Sequence, residues 1–215
     1  MRYRKHIPAG GGLGGGSSDA ATTLIALNRL WGTGLTRAEL MRLALPLGAD
    51  VPVFVFGRAA FAQGVGEDLT AVDLPGRAYW IVRPSAHVAT ADVFRDPDLT
   101  RNSGSVKIAV FTDWQTGCGA GEFFGRNDLE AVVFRQHPDI ARLARAMQGT
   151  DNATVEVRMT GSGSCLFAEF QDAAQAGMHR DRIISKMKNP PDGAIEGSWI
   201  CRGLDDHPLF GWVAD

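Results

Sequence analysis

Apolar residues recur at helical spacing in the first third of the chain. Ala20, Leu24, Leu27 and Trp31 lie three or four residues apart, and Ser17-Ser18-Asp19 just before them carry cap-type side chains, which predicts a helix over Ser17 to Trp31. Thr36-Arg37-Ala38-Glu39 has the spacing of a capping box, and Leu40, Leu43, Ala44 and Leu47 give a second helix its apolar stripe before Gly48 ends it. Proline pushes the preceding residue out of helical geometry, so Ala49-Asp50-Val51-Pro52 reads as a short connection. Val53 to Phe56 and Ala59 to Ala62, split by Gly57-Arg58, predict the two strands of a hairpin.

Around Val72 to Arg77 the pattern changes to proline, glycine and charge, which places a domain boundary near residue 75 and divides the chain into residues 1–75 and 76–215. Beyond it the pattern predicts a strand over Ala78 to Val82, a short helix near Ala91 to Phe94 and a glycine-rich loop from Ser103 to Gly125. Helices near Asn127 to Phe134 and Pro138 to Met147 follow. Then come strands over Thr154 to Met159 and Cys165 to Phe170, joined by a Gly-Ser turn, a helix over Asp172 to Lys186 and a last strand near Trp199. The mixture implies an α+β fold, without internal repeats or heptads.

Composition narrows the class. The 215 residues, 45% hydrophobic and 21% charged, suffice for a substantial core without disulfide staples. Lys and Arg number 22 against 24 for Asp and Glu, so the net charge of -2 disfavours a protein that holds nucleic acid by neutralising phosphates. The three cysteines, Cys118, Cys165 and Cys201, share no close spacing, which suits a reducing, cytoplasmic setting better than a disulfide framework or a zinc ribbon. His87, His137, His179 and His207 show no ligand spacing either, so structural or surface roles are expected. Val51 to Ala62 is too short to span a bilayer, and the basic start at Arg2, Arg4 and Lys5 runs into Pro8 and glycines where an export signal needs apolar residues.

Six glycines fall within Gly10-Gly11-Gly12-Leu13-Gly14-Gly15-Gly16, directly ahead of the first predicted helix. A backbone that approaches a phosphate closely cannot carry β-carbons, and a helix N-terminus presents free N–H groups and a positive dipole end to the anion. Loop and helix together predict an anion cradle, with Ser17 and Ser18 serving as caps and as phosphate donors. The run satisfies G-x-G-x-x-G, as any glycine tract this dense does, yet no apolar strand precedes it and no acid stands about 20 residues on. A P-loop needs Gly-Lys followed by Ser or Thr, and a protein-kinase loop belongs with an Asp-Phe-Gly triplet; both are missing.

The phrase Ile7-Pro8-Ala9-Gly10-Gly11-Gly12-Leu13-Gly14-Gly15-Gly16-Ser17-Ser18-Asp19-Ala20-Ala21 resembles the second motif of the GHMP small-molecule kinases. Gly48-Ala49-Asp50-Val51-Pro52-Val53-Phe54, Gly64-Val65-Gly66-Glu67, Asn127-Asp128-Leu129-Glu130 and Arg158-Met159-Thr160-Gly161-Ser162-Gly163-Ser164-Cys165 follow in family order, as far as His207-Pro208-Leu209. The triple glycine before Ser17-Ser18 is most similar to the branch that phosphorylates 4-diphosphocytidyl-2-C-methyl-D-erythritol in bacterial isoprenoid synthesis. The resemblance implies a GHMP kinase fold: an ATP-binding domain of the ribosomal protein S5 domain 2 type over residues 1–75, then a ferredoxin-like C-terminal domain.

It also implies roles. Pro8, Ala9, Gly10, Gly11, Gly12, Leu13, Gly14, Gly15, Gly16, Ser17 and Ser18 would hold the phosphates of ATP, with Mg2+ accompanying the nucleotide. Asp50 would be the catalytic base for the 2-hydroxyl of the cytidine diphosphate substrate. Thr160, Gly161 and Gly163 would form a second glycine loop on the substrate side, and Thr90 and Phe94 would hold the cytidine end, with Ala91 standing where the family commonly has proline. The protein is expected to act on a small molecule, without nucleic acid or membrane, as a monomer or homodimer. Family members open with a further segment containing a Pro-Ala-Lys-Leu-Asn motif, whose lysine partners the aspartate, and a later cytosine-contacting His; neither precedes Pro8, so an N-terminally incomplete kinase is expected.

Without the resemblance these residues have plainer readings: a glycine tract as linker, Asp50 as a cap or turn residue, Thr160 to Ser164 as a hairpin turn, Cys165 as a buried small residue. Two alternatives to the kinase reading are a non-catalytic remnant and a GHMP kinase for another alcohol such as homoserine. The triple glycine and Gly48-Ala49-Asp50-Val51-Pro52 speak against the latter.

Overall fold

The computed structural model describes residues 2, 4–104, 106–116, 124–149, 155–187 and 195–215. The chain folds as two compact units, one of residues 14–76 and 204–215, the other of residues 1–13 and 77–203.

In the unit of residues 14–76 and 204–215, Gly14 occupies the left-handed region at φ 63° and opens α1 (Gly15–Trp31) without a side-chain cap. Ser17 and Ser18 therefore lie inside the first turn, not at the cap as expected from sequence, because only glycine takes that turn without strain. The buried side of α1 is Ala21, Ile25 and Asn28, one residue on from the expected stripe, and Trp31 is exposed. Asn28 closes the turn that follows: its Nδ2 donates to the Leu35 carbonyl at 2.9 Å and its Oδ1 accepts from the Leu35 amide at 3.0 Å and from the Thr33 hydroxyl.

The expected capping box is present at α2 (Arg37–Ala44). The Thr36 amide donates to Glu39 Oε2 at 2.8 Å, while the Glu39 amide donates to the Thr36 hydroxyl at 3.3 Å. Leu40 and Ala44 are buried, whereas Leu43 and Leu47 are exposed, so the stripe is narrower than the pattern implied. A 3-10 turn over Leu45–Leu47 leads to α3 (Val51–Phe56).

This third helix replaces the first strand of the expected hairpin. Pro52 falls in the opening turn, where its missing N–H has no acceptor to lose. Val51 and Val55, four apart and both buried, then pack with Ile25 and Leu40, so tertiary burial overrides the β propensity of Val-Phe-Val-Phe. Each such buried aliphatic side chain contributes roughly 1.5–3 kcal/mol. The hairpin pairs β1 (Ala60–Gln63) with β2 (Asp68–Ala71) instead, around the Gly64 to Glu67 turn. Residues 204–215 return to this unit, where Val213 joins the core of Ala21, Ile25 and Val55.

The other unit is built on an antiparallel sheet. In chain order its elements are β3 (Ala78–Pro84), α4 (Thr90–Arg95), α5 (Ile108–Thr116), α6 (Glu130–Gln136), α7 (Pro138–Gln148), β4 (Val157–Met159), β5 (Leu166–Phe170), α8 (Ala173–Lys186) and β6 (Ile195–Arg202). The strand order is β4-β5-β3-β6. Alternation sends Ala78, Trp80 and Val82 of β3 and Leu166, Ala168 and Phe170 of β5 to one face, where they pack with Ile140, Leu143 and Met147 of α7 and Ala176 and Ile183 of α8. His179 serves this core: Arg182 donates to its Nδ1 at 2.9 Å, which leaves Nε2 as the donor to the Met147 carbonyl at 2.8 Å. Within the stretch expected as loop, Ser103 to Gly125, residues 108–116 are helical, while residues 105 and 117–123, including Cys118, lie outside the described residues. Thr154, expected to begin a strand, lies outside them too.

Candidate active site

The first half of the glycine run belongs to the unit of residues 1–13 and 77–203. Gly11 is buried, and its carbonyl accepts the Cys165 amide at 3.1 Å. Gly12 has φ 71°, and its carbonyl accepts the Thr160 hydroxyl at 2.8 Å. A β-carbon on Gly12 would stand 2.1 Å from the Thr160 carbonyl oxygen and 3.0 Å from the Gly163 nitrogen, so the two glycine loops meet backbone to backbone. Pro8, Ala9 and Gly10 run along the surface ahead of this contact, with the His87 ring beside Gly10.

The second loop turns on itself, the Gly163 amide donating to the Thr160 carbonyl at 3.0 Å and the Thr160 amide to the Cys165 carbonyl at 2.9 Å. Its outer side is held from α6. Asn127 Nδ2 donates to the carbonyls of Met159 and Gly161 at 2.9 and 2.7 Å, and the Met159 amide donates to Glu130 Oε2 at 2.7 Å. Asn127 and Glu130 thus set the loop's shape, a role that the sequence signalled only as the recurring phrase Asn127-Asp128-Leu129-Glu130. The Thr90 and Ser162 hydroxyls share a hydrogen bond of 2.8 Å, which joins the start of α4 to the same loop. Phe94, one turn on, is 53% exposed. Cys165 is buried behind Gly11, and burial pushes its thiol up to about 11, against a smaller opposing pull from Arg83.

The other half of the run, Gly14, Gly15, Gly16, Ser17 and Ser18, lies in the unit of residues 14–76 and 204–215 as the cap and first turn of α1. First-turn amides have no acceptor within their own helix, and no side chain caps this one. A β-carbon at Gly14 would stand 2.9 Å from Phe54 Cζ, so α3 abuts the start of α1. Asp50 immediately precedes α3, exposed, and its carboxylate makes no capping bond. Asp50 thus occupies the cap and turn position of its plain reading, with its carboxylate left open to solvent.

Arg37 fixes the far end of α3. Its Nη1 donates to the Val55 and Phe56 carbonyls at 3.0 and 3.4 Å, its Nη2 to the Phe210 and Val213 carbonyls at 3.0 and 3.1 Å, and its Nε to Asp215 at 2.6 Å. The guanidinium also stacks 4.0 Å over the Phe210 ring. Nothing in the local sequence marked Arg37 beyond its place in the capping box, because its partners lie up to 178 residues away.

Among the described residues, no group of three or more His, Cys, Asp or Glu side chains could hold a metal ion, and no helix is long and apolar enough to cross a membrane.

Comparison with known proteins shows the family. Residues 1–58 match the GHMP kinases N terminal domain, and residues 113–189 match the GHMP kinases C terminal model. The chain is 55% identical to the 4-diphosphocytidyl-2-C-methyl-D-erythritol kinase of Bordetella parapertussis, over 98% of this chain and 70% of that protein. A crystal structure of 4-(cytidine 5'-diphospho)-2C-methyl-D-erythritol kinase superposes with a TM-score of 0.71 at 31% identity, covering 93% of this chain and 68% of that one. The homoserine kinase of Cytophaga hutchinsonii superposes with a TM-score of 0.66 at 18% identity over 94% of this chain and 69% of its own, a likeness of fold alone. With a glycine loop at a helix start, a second glycine loop locked to it and relatives above half identity, this chain belongs to the 4-diphosphocytidyl-2-C-methyl-D-erythritol kinases of the GHMP family.

Proposed function

We propose that the chain is a small-molecule kinase that transfers the γ-phosphoryl group of ATP to the 2-hydroxyl of 4-diphosphocytidyl-2-C-methyl-D-erythritol, a step of isoprenoid synthesis. The observation that carries the reading is the glycine run itself: Gly12 and Gly14 at positive φ, feeding the uncapped N-terminus of the seventeen-residue α1. Residues Pro8 to Ser18 are the phosphate loop, in which the α1 amides and the Ser17 and Ser18 hydroxyls meet the anionic oxygens. Gly12 supports the reading by holding the loop's path: a β-carbon there would meet the Thr160 carbonyl and the Gly163 backbone, so only glycine keeps this course ahead of α1.

Asp50 is the general base in this reading, accepting the proton of the acceptor hydroxyl as the phosphoryl group arrives. Thr160, Gly161 and Gly163 shape the substrate side, and Thr90 and Phe94 receive the cytidine end. Phosphoryl transfer asks the protein for positioning and charge neutralisation more than for covalent chemistry, and glycine loops and a carboxylate are residues of that kind. Magnesium would supply further neutralisation; with no acidic cluster among the described residues, it would be held chiefly by the nucleotide phosphates. Residues 1–75 correspond to the ATP-binding domain and residues 76–215 to the C-terminal domain. A cytoplasmic enzyme, monomeric or homodimeric, accords with this chemistry.

The test is incubation of the chain with ATP, magnesium and the cytidylyl substrate, followed by phosphorus NMR of the product. Appearance of a new phosphomonoester with stoichiometric ADP supports the reading. Phosphorylation of homoserine instead, or failure to bind ATP in calorimetry by a folded chain, overturns it.

A further inference from the structure

The helix proposed to receive the cytidine end is only six residues long, and a helix of that length does not hold its own shape in water. What pins α4 therefore decides where the Phe94 ring stands. Packing leaves that ring 53% exposed, so the main chain must be held instead. Arg101 does this from beyond the helix: its Nη2 donates to the Phe94 carbonyl at 2.7 Å and the Asp96 carbonyl at 3.0 Å, and its Nη1 to the Leu99 carbonyl at 3.3 Å. The Phe94 oxygen is among the orphan acceptors at a helix C-terminus, and a charged donor is a strong partner for it.

Asp96 anchors the same corner to α6. The residue is only 8% exposed, and its two carboxylate oxygens accept Arg135 Nη2 at 2.6 and 2.7 Å. Oδ2 also accepts Gln136 Nε2 at 2.6 Å, and Oδ1 accepts the Asp98 amide at 2.9 Å. Arg135 and Gln136 end the helix near whose start Asn127 and Glu130 hold the second glycine loop. That loop in turn meets Thr90, at the front of α4, through Ser162. A closed circuit results, in which α4 is tied at its N-terminus to the loop and at its C-terminus to the helix that shapes the loop.

We propose that Arg101 and Asp96 are positioning residues that fix the Phe94 ring as a platform for the substrate's nucleobase, and so help set selectivity for the cytidylyl group. The inference rests on the reading of Thr90 and Phe94 given above. It goes beyond it by naming the two residues that hold the platform without touching the ligand.

Calorimetric titration of the full chain with cytidine 5'-diphosphate, and separately with ATP, tests it in a double-mutant cycle of Phe94→Ala and Arg101→Gln. Arg101→Gln is expected to weaken the cytidine diphosphate by about tenfold while ATP binding is retained, and Arg101→Lys to recover part of the loss through a single charged donor. In the Phe94→Ala background, Arg101→Gln should cause no further loss. Asp96→Asn should follow Arg101→Gln in direction, and it replaces that variant in the cycle if Arg101→Gln does not fold. Unchanged cytidine diphosphate affinity in a folded positioning variant, losses that multiply in the double variant, or equal weakening of ATP would each overturn the proposal. A wild-type chain that binds ATP but no cytidine diphosphate, or a Phe94→Ala variant that binds it normally, removes the underlying reading of Phe94 as well.

Discussion

Thr160 donates its hydroxyl to the carbonyl of Gly12 at 2.8 Å, across a gap that leaves no room for a β-carbon on the glycine. The two glycine loops are therefore one object: the shape of the first is set by the second.

Gly12→Ala tests this contact. Alanine at φ 71° is strained, and the opposing atoms are backbone, which cannot swing aside. We expect a loss of roughly 2 kcal/mol or more in unfolding free energy, with ATP binding abolished in calorimetry. Thr160→Val should weaken ATP less, because it removes one hydrogen bond and leaves the chain path open. An alanine variant with ordinary urea midpoint and ordinary ATP affinity would refute the close approach.

Asp50→Asn preserves shape and removes the carboxylate proposed as the base. Turnover of the cytidylyl substrate should fall at least about a hundredfold, with ATP affinity largely retained, as the loss of a general base requires. Single-turnover rates alongside ATP titration read both quantities, and near-normal turnover would take Asp50 out of the chemistry.

Arg37→Met should uncouple α3 from residues 204–215. Asp215 is 82% exposed and can rehydrate, so the loss falls on the carbonyls of Val55, Phe56, Phe210 and Val213. A decrease of about 2–4 kcal/mol is expected. Hydrogen exchange provides the check: amides of α3 and of the chain end should lose protection together, and independent behaviour would contradict the shared anchor.

The hydrogen bonds from Arg135 and from the Asp98 amide hold the Asp96 carboxyl below the usual aspartate range, against a smaller upward push from burial and with a lesser downward pull from Gln136. A carboxyl depressed on folding adds stability above the pKa it has when unfolded and loses that contribution as pH falls through the folded value. The difference in urea midpoint between the wild-type chain and Asp96→Asn should thus be constant from about pH 7 to pH 5 and shrink below about pH 4. A difference that grows on acidification would reverse the assignment.

Native alkylation at about pH 8 should modify Cys201, which is exposed, and spare Cys165, whose thiol burial holds near 11. Peptide mapping reads the two sites separately. Fast labelling of Cys165 without denaturant would show that Gly11 is not backed as described.

Much of the architecture was legible because it depends on neighbours in sequence. The capping box at Thr36 and Glu39, the apolar strand over Ala78 to Val82 and the helix over Asp172 to Lys186 each use contacts or patterns within a few residues. Val53 to Phe56 misled for the opposite reason. Its composition favours a strand, and only burial of Val51 and Val55 against α1 and α2, together with a proline in the one turn that tolerates it, makes it a helix. The helix in residues 108–116 was masked by the glycines around it.

Sequence alone determined the kind of chemistry: a glycine tract feeding a helix, and an aspartate in a phrase that recurs among phosphoryl-transfer enzymes, need no coordinates to be noticed. Tertiary structure decided which residues hold those groups in place. Thr160 lies 148 residues from Gly12, Asp215 lies 178 from Arg37 and Arg135 lies 39 from Asp96. Local patterns carry information about turns of helix and faces of strands, whereas pairings at these separations exist only once the chain has folded and brought a donor to each buried acceptor.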